Sequence, residues 1–423
     1  MRPPIHCFAA GALLLATAGF VRAQDNGALI EMLARKGIIT EQEAEDLRAD
    51  VAKDNTASMV TTAGGSFLDK VTLTGRLQVQ YAGLSTDIDG VDNDPASTSH
   101  LFVRRARLGV KANFAQGLSG YINYDLGGTF FDAAMITWKY DDTFSIDAGL
   151  RKAPIGYEEF LVSSGSLKAI ERSGVTRYFV ESNNGRRLGA GKYRIGAWAV
   201  GGNAKQGFSY QLAVTNPEQT STGSDAISSG NAANNGLAYW AHAAYRGTFT
   251  DGRYAVGASA GLLPDQGGRT PALTGARSDD MTVFNLFGEV TLAKNFTLLS
   301  EYYWAQVDNG AASGQTLDPW GFYIQPSYRI SPAWELVARY GYVDSDGRGI
   351  NLSDSVRSAP GGGSMDTLRE AYLGGTWYLR GNDVKLSLGY VWGETEDRPV
   401  GASATAATKA TVQGVRSQAQ INF

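Results

Sequence analysis

The chain of 423 residues has one cysteine, Cys7, three histidines, and no long apolar run beyond its extreme N-terminus. Each scarcity excludes something. A single cysteine leaves no intramolecular disulfide, so stability has to come from burial and backbone pairing. So few histidine and cysteine side chains give no ligand spacing for a metal, and no phosphate-cradling glycine loop is found, so no cofactor is expected. Without a stretch of about 18 uncharged apolar residues, a helical membrane protein is excluded. Charge is sparse too, at 19% of residues, with 38 basic and 42 acidic side chains giving a net charge of −4. The pI of about 5.6 and the lack of a basic tail argue against a nucleic-acid partner. A hydrophobic share of 43% is too high for a disordered chain. What is abundant is glycine, 52 residues, and aromatics at 11%.

Arg2, the apolar stretch from Cys7 to Phe20 and the sequence Val21-Arg22-Ala23 have the order of a secretory leader, residues 1–23. Its removal takes the only cysteine and shifts the charge of the remaining chain to −6. Residues 24–54 read as a periplasmic helical, coiled-coil-like hairpin. Leu29, Ile30 and Leu33 form one face, Gly37 closes the first helix, and Thr40 with Glu43 makes a capping box for the second. Two readings of this narrow-striped hairpin stay open: contact with copies of itself or with a periplasmic or cell-wall component, and a solvated spacer. Residues 55–66, rich in Thr, Ala, Ser and Gly, read as a linker.

From residue 67 the period changes to two. Val71, Leu73, Leu77, Val79 and Tyr81 alternate with Thr72, Thr74, Arg76, Gln78 and Gln80; the same pattern recurs from Trp334 and in the last ten residues. Sixteen such segments are found, from 71–84 to 411–423, an even number with many near ten residues long. Short turns such as 113–117 and 330–333 alternate with long polar loops such as 85–100, 216–237 and 347–365. The expectation is an all-β fold: a 16-stranded antiparallel transmembrane β-barrel over 67–423, the only closed β solution in hydrocarbon, with outer-membrane lipid as its surroundings. The segments 187–200 and 238–249 alternate poorly.

With the apolar face on lipid, the alternating neighbours face water. That predicts an ion pathway lined by Arg76, Arg105, Arg107, Lys111, Arg339, Lys385 and Arg416, joined by Arg329 and by the acids Asp125, Glu289, Glu301 and Glu335. The inward excess of basic groups sets up a local field that attracts small anions although the whole chain is acidic. The connection 152–184 is too long for a turn, and its apolar Ile155, Phe160, Leu161, Val162, Leu167 and Ile170 argue for folding into the barrel. Lys152, Arg172 and Arg177 are predicted at the constriction. Glu158, Glu159 and Glu171 are candidates to fasten the loop to basic wall residues.

Several of these stretches resemble a known family. Gly149-Leu150-Arg151-Lys152-Ala153-Pro154-Ile155-Gly156-Tyr157-Glu158-Glu159, with Ser163-Ser164 and Glu171-Arg172-Ser173, is similar to the third-loop signature of the phosphate-selective porin O and P family. Phe102-Val103-Arg104-Arg105-Ala106-Arg107-Leu108-Gly109 resembles its second-strand motif, and Leu373 to Leu379 with Asn382 to Leu386 its late strand pair. The resemblance implies a homotrimeric outer-membrane channel whose third loop forms the constriction, passing phosphate or polyphosphate along basic side chains. This chain departs from the pattern in its third loop, where four basic and four acidic residues cancel. The function expected is passive diffusion of small anions. The alternatives are a weakly selective diffusion porin and, in another class, a structural envelope anchor with a closed barrel. An enzyme is not expected, since His100 and His242 have no nucleophile motif beside them.

Overall fold

The computed structural model describes residues 58–61, 67–90, 94–182, 186–216, 236–264, 280–293, 295–308, 315–361, 363–397 and 408–423. The leader at 1–23, the helical hairpin at 24–54 and all of the 55–66 linker except 58–61 lie outside the described residues.

Sixteen antiparallel strands close on themselves. They are β1 (Leu68–Ile88), β2 (Thr98–Phe114), β3 (Leu118–Asp125), β4 (Phe130–Lys139), β5 (Phe144–Lys152), β6 (Tyr193–Gly202), β7 (Gly207–Thr215) and β8 (Ala238–Phe249). The circuit continues through β9 (Gly252–Leu263), β10 (Met281–Leu292), β11 (Phe296–Asp308), β12 (Trp320–Ser331), β13 (Trp334–Asp344), β14 (Thr367–Arg380), β15 (Val384–Glu396) and β16 (Lys409–Asn422). Each strand pairs with the next, and β16 pairs with β1 from Arg76↔Asn422 to Ile88↔Ala410. Closure is what lets a sheet sit in lipid, because every strand finds two neighbours. Two glutamine pairs clasp this last seam: Gln78 donates to Gln420 at 2.6 Å and Gln80 to Gln418 at 2.8 Å. Below the end of β16, the short strand Ser58–Thr61 takes up the vacated edge of β1.

The outer face is apolar along the whole circuit, with Leu77, Leu336, Leu373, Leu388 and Ile421 exposed. Trp334 stacks on Trp377 and Phe67 on Phe114 near the short-turn end, while Tyr302, Trp320 and Tyr342 cluster toward the other. Aromatics at both rims are the girdles of a membrane barrel.

The alternation weakens where the inner face is apolar as well. On β8, Trp240, His242 and Ala244 point inward and are buried, while Tyr239 and Tyr245 point out. The strand expected at 187–200 starts at Tyr193, because Leu188 and Ala190 belong to the preceding loop and are buried with it. The third long loop therefore runs over 153–192.

The core lies inside the barrel. Ile155, Val175, Phe179 and Val180 of the third loop are fully buried in one cluster with Trp198, Trp240, Phe287 and Tyr303 of the wall. A second cluster joins Ala169 and Ile170 of that loop to Leu352 and Val356 of the seventh long loop (residues 345–366) and to Ala82, Leu84 and Tyr372. Among the described residues, two short α-helices sit within the loops: α1 (Gly174–Val180) and α2 (Leu352–Ser355).

Candidate functional site: the lumen and its two inward loops

The third loop starts its inward path at Gly156, whose φ of +79° suits glycine; a Cβ there would lie 2.2 Å from the Tyr303 hydroxyl. The single π-turn Tyr157–Leu161 follows. Its first two N–H groups donate to the Glu301 carboxylate at 2.5 and 2.9 Å. Glu301 also accepts from Tyr303 at 2.9 Å, Tyr323 at 2.7 Å and Asn285 at 3.1 Å. A buried carboxylate with this many donors is a satisfied anchor, not an open acid. The loop then passes low across the barrel. Gln420 donates to the Gly165 carbonyl at 2.9 Å and Lys385 to the Leu167 carbonyl at 2.8 Å, and Lys168 pairs with Glu335 at 2.8 Å. It turns into α1, capped by the Ser173 hydroxyl accepting from the Thr176 N–H at 2.9 Å.

These contacts sort the predicted pathway residues. Arg339 is buried; it donates to the Glu171 carbonyl at 3.0 Å and pairs with Glu370 at 3.2 Å and Glu158 at 3.6 Å. Arg416 donates to Gln80 at 3.3 Å and to the Arg357 carbonyl. Arg177 donates to the carbonyls of Ser353 and Asp354 at 2.8 and 3.0 Å. Arg172 pairs with Glu159 at 2.6 Å and Lys152 with the same carboxylate at 2.8 Å. With Lys385, these six cations hold loops to walls or to themselves. Arg105 is also buried, donating to Gln78 at 2.7 Å.

Arg76, Arg107 and Lys111 are placed differently. Lys111 is exposed toward the short-turn end of β2. Arg107 pairs with Asp125 at 2.9 Å and Asp132 at 2.7 Å. Arg76 donates to Ser164 at 2.6 Å, Ser163 at 3.1 Å and Asn422 at 2.8 Å, and among the described residues no carboxylate lies within ion-pair distance of it.

Of the loop acids, Glu158 accepts from the Ser173 N–H at 2.8 Å. Glu171 pairs with Arg104 at 2.5 Å and Arg357 at 3.3 Å, and Gln80 donates to it at 3.0 Å. Burial alone would raise the Glu171 carboxyl, but Arg104 and Arg357 hold it well below its ordinary range. Glu181 behaves alike: burial is outweighed by Arg357 and Arg177. Arg177, buried beside Arg357, is lowered to about 10 and stays charged at neutral pH.

Sequence reasoning did not single out Arg104. Gln78 is opposite Arg105 and Val79 opposite Val103, so Arg104 is the extra residue of a β-bulge. The bulge puts Arg104 and Arg105 both inside, and the exposed positions shift from Leu101 and Val103 to Leu108 and Val110. That change from odd to even apolar positions was present in the sequence, as was the arginine doublet. Arg357 was not legible, since it sits in a polar loop with no period.

Among the described residues, no group of three His, Cys, Asp or Glu side chains converges as a metal site. The geometry supplies a lumen lined by paired charges and crossed by two loops.

Solved outer-membrane proteins share this fold. The outer membrane channel DcaP of Acinetobacter baumannii is 15% identical with a TM-score of 0.52, covering 86% of this chain and 100% of that one. OprB of Pseudomonas putida is 12% identical with a TM-score of 0.53, over 83% and 94%. OmpF of Salmonella typhi, solved with daunomycin, is 13% identical with a TM-score of 0.52, over 84% and 98%. No curated protein sequence matches. The family model described as phosphate-selective porin O and P matches residues 71–423, all sixteen strands but for the first three residues of β1. The chain belongs to that family and is a bacterial outer-membrane porin through which solutes diffuse passively.

Proposed function

We propose that this porin favours small anions, with phosphate or a phosphate chain as the solute class, and that Arg76 and Arg107 form the attracting pair. The observation that carries this reading is the convergence of two guanidiniums on one hydroxyl. Arg76 lies 2.6 Å and Arg107 3.4 Å from Ser164 Oγ in the third loop. A solute oxyanion displacing that serine would receive charge-assisted bonds from both. The contacts are few and weak enough for release, as conduction requires. Over its observed span, 153–192, the third loop carries six basic and four acidic residues, a net charge of +2 that adds to the attraction.

The reading includes no catalytic step. His242 Nδ1 and Ser259 Oγ are 2.9 Å apart, but Phe160 and Phe287 pack on the imidazole and keep substrate from it. It also includes a homotrimer, a leader at 1–23, and contact of the helices at 24–54 with a periplasmic or cell-wall partner. Reversal potentials across a planar bilayer, in chloride and then in phosphate gradients, test the preference. An anion-favouring sign that collapses in Arg76→Ala/Arg107→Ala supports it. A potential near zero for the unaltered protein would establish the weakly selective porin instead.

A further inference from the structure

The third loop does not hold its position by the wall alone. The seventh loop lies against it across the lumen, and the contacts are reciprocal. Arg177 of α1 donates to two carbonyls of α2, while Arg186 donates to the Arg348 carbonyl at 3.1 Å and Arg348 to the Arg186 carbonyl at 2.7 Å. Ile170 packs with Leu352 and Val356 beneath these bonds. One side chain joins both ends of the contact. Arg357, three-quarters buried, reaches Glu171 at 3.3 Å with Nε and Glu181 at 2.6 Å with a terminal nitrogen, so it bridges two carboxylates ten residues apart on the third loop. Its own backbone carbonyl accepts from Arg416 of the wall. A planar guanidinium suits this double duty, whereas an ammonium presents a single point.

We infer that the seventh loop is the second jaw of the constriction and that Arg357 is the positioning residue locking the two jaws together. The lock sets the width and steadiness of the passage without touching solute. This rests on solute passing beside the third loop and not on which ion is favoured.

Single-channel recording in symmetrical potassium chloride tests it, since current noise there carries no information on anion preference. Arg357→Gln should raise the mean conductance and increase open-state current variance by about twofold, as a locally released loop samples more positions. Arg357→Lys should return part of the way to the unaltered trace. Arg357→Gln/Glu181→Gln restores the charge balance without restoring the bridge, so the flicker should persist. If it disappears, the effect was a change of field in the pore and the lock is disproved. A quiet Arg357→Gln channel of unaltered conductance overturns the proposal as well. Should Arg357→Gln fail to yield a folded barrel, Glu181→Gln breaks the same bridge from the opposite loop and is held to the same expectations.

Discussion

The two sides of the lumen are built on opposite principles. Along β6 to β11 the inner wall is Trp198, Trp240, Phe287 and Tyr303, and the third loop closes on it as a hydrophobic core. Along β1, β2 and β16 the inner wall is glutamine and arginine, and the loop meets it through hydrogen bonds and ion pairs. Apolar packing on the first side needs no partner of fixed geometry and is worth about 25 cal/mol per Å² removed from water. Contacts on the second side contribute less per group but leave charge beside the passage. The difference teaches that both sides hold the loop, but only the polar one leaves charge where solute passes.

The largest effect that would break this comparison lies on the apolar side. Phe179→Ala empties a fully buried site stacked on Tyr303 and should cost about 3–5 kcal/mol in urea unfolding. A loss below about 1 kcal/mol would mean that the side is loosely packed. Glu301→Ala leaves several buried donors without an acceptor and should cost about 3 kcal/mol by the same titration, with a looser third loop. On the charged side, Arg107→Ala leaves the buried Asp125 and the partly buried Asp132 without their cation and should cost about 3 kcal/mol. It should lower the anion/cation permeability ratio about threefold, equivalent to ~0.6 kcal/mol.

The depressed Glu171 and Glu181 carboxyls set a pH window. Their ion pairs contribute fully above the ordinary glutamate value of 4.5 and fade only as pH falls through the lower folded-state values. Channel noise should therefore stay flat from pH 6 to 4.5 and rise in stronger acid; a rise near pH 5.5 would contradict the pairing. The smallest effect belongs to the exposed Lys139–Asp142 pair in a turn, where Asp142→Ala should change stability by less than about 0.5 kcal/mol.

Strand number and sidedness were legible because lipid on one face and water on the other impose a period of two on Val71–Tyr81 and Trp334–Val343. Legibility failed where that contrast vanished. On β6 and β8 the inner face meets a buried loop instead of water, so Trp198 and Trp240 erase the alternation. Arg76 and Arg107 were readable as inward charges. That Arg339, Lys385 and Arg416 bind loops was not, because the loop groups they donate to lie 59 to 218 positions away and are backbone carbonyls that any residue offers. Arg104 needed the phase slip to be noticed.

The seam where the first and last strands meet is fastened by Gln78, Gln80, Gln418 and Gln420, all of them uncharged. Amides neither gain nor lose a proton in ordinary surroundings, and dissolved salt hardly shields them. The cylinder is thus sutured mainly by backbone pairs and neutral amides, with Arg76–Asn422 and Arg416–Gln80 as the charged exceptions, whereas the loops it encloses are wired by ions. Acid strong enough to loosen the two loops leaves the hoop around them shut.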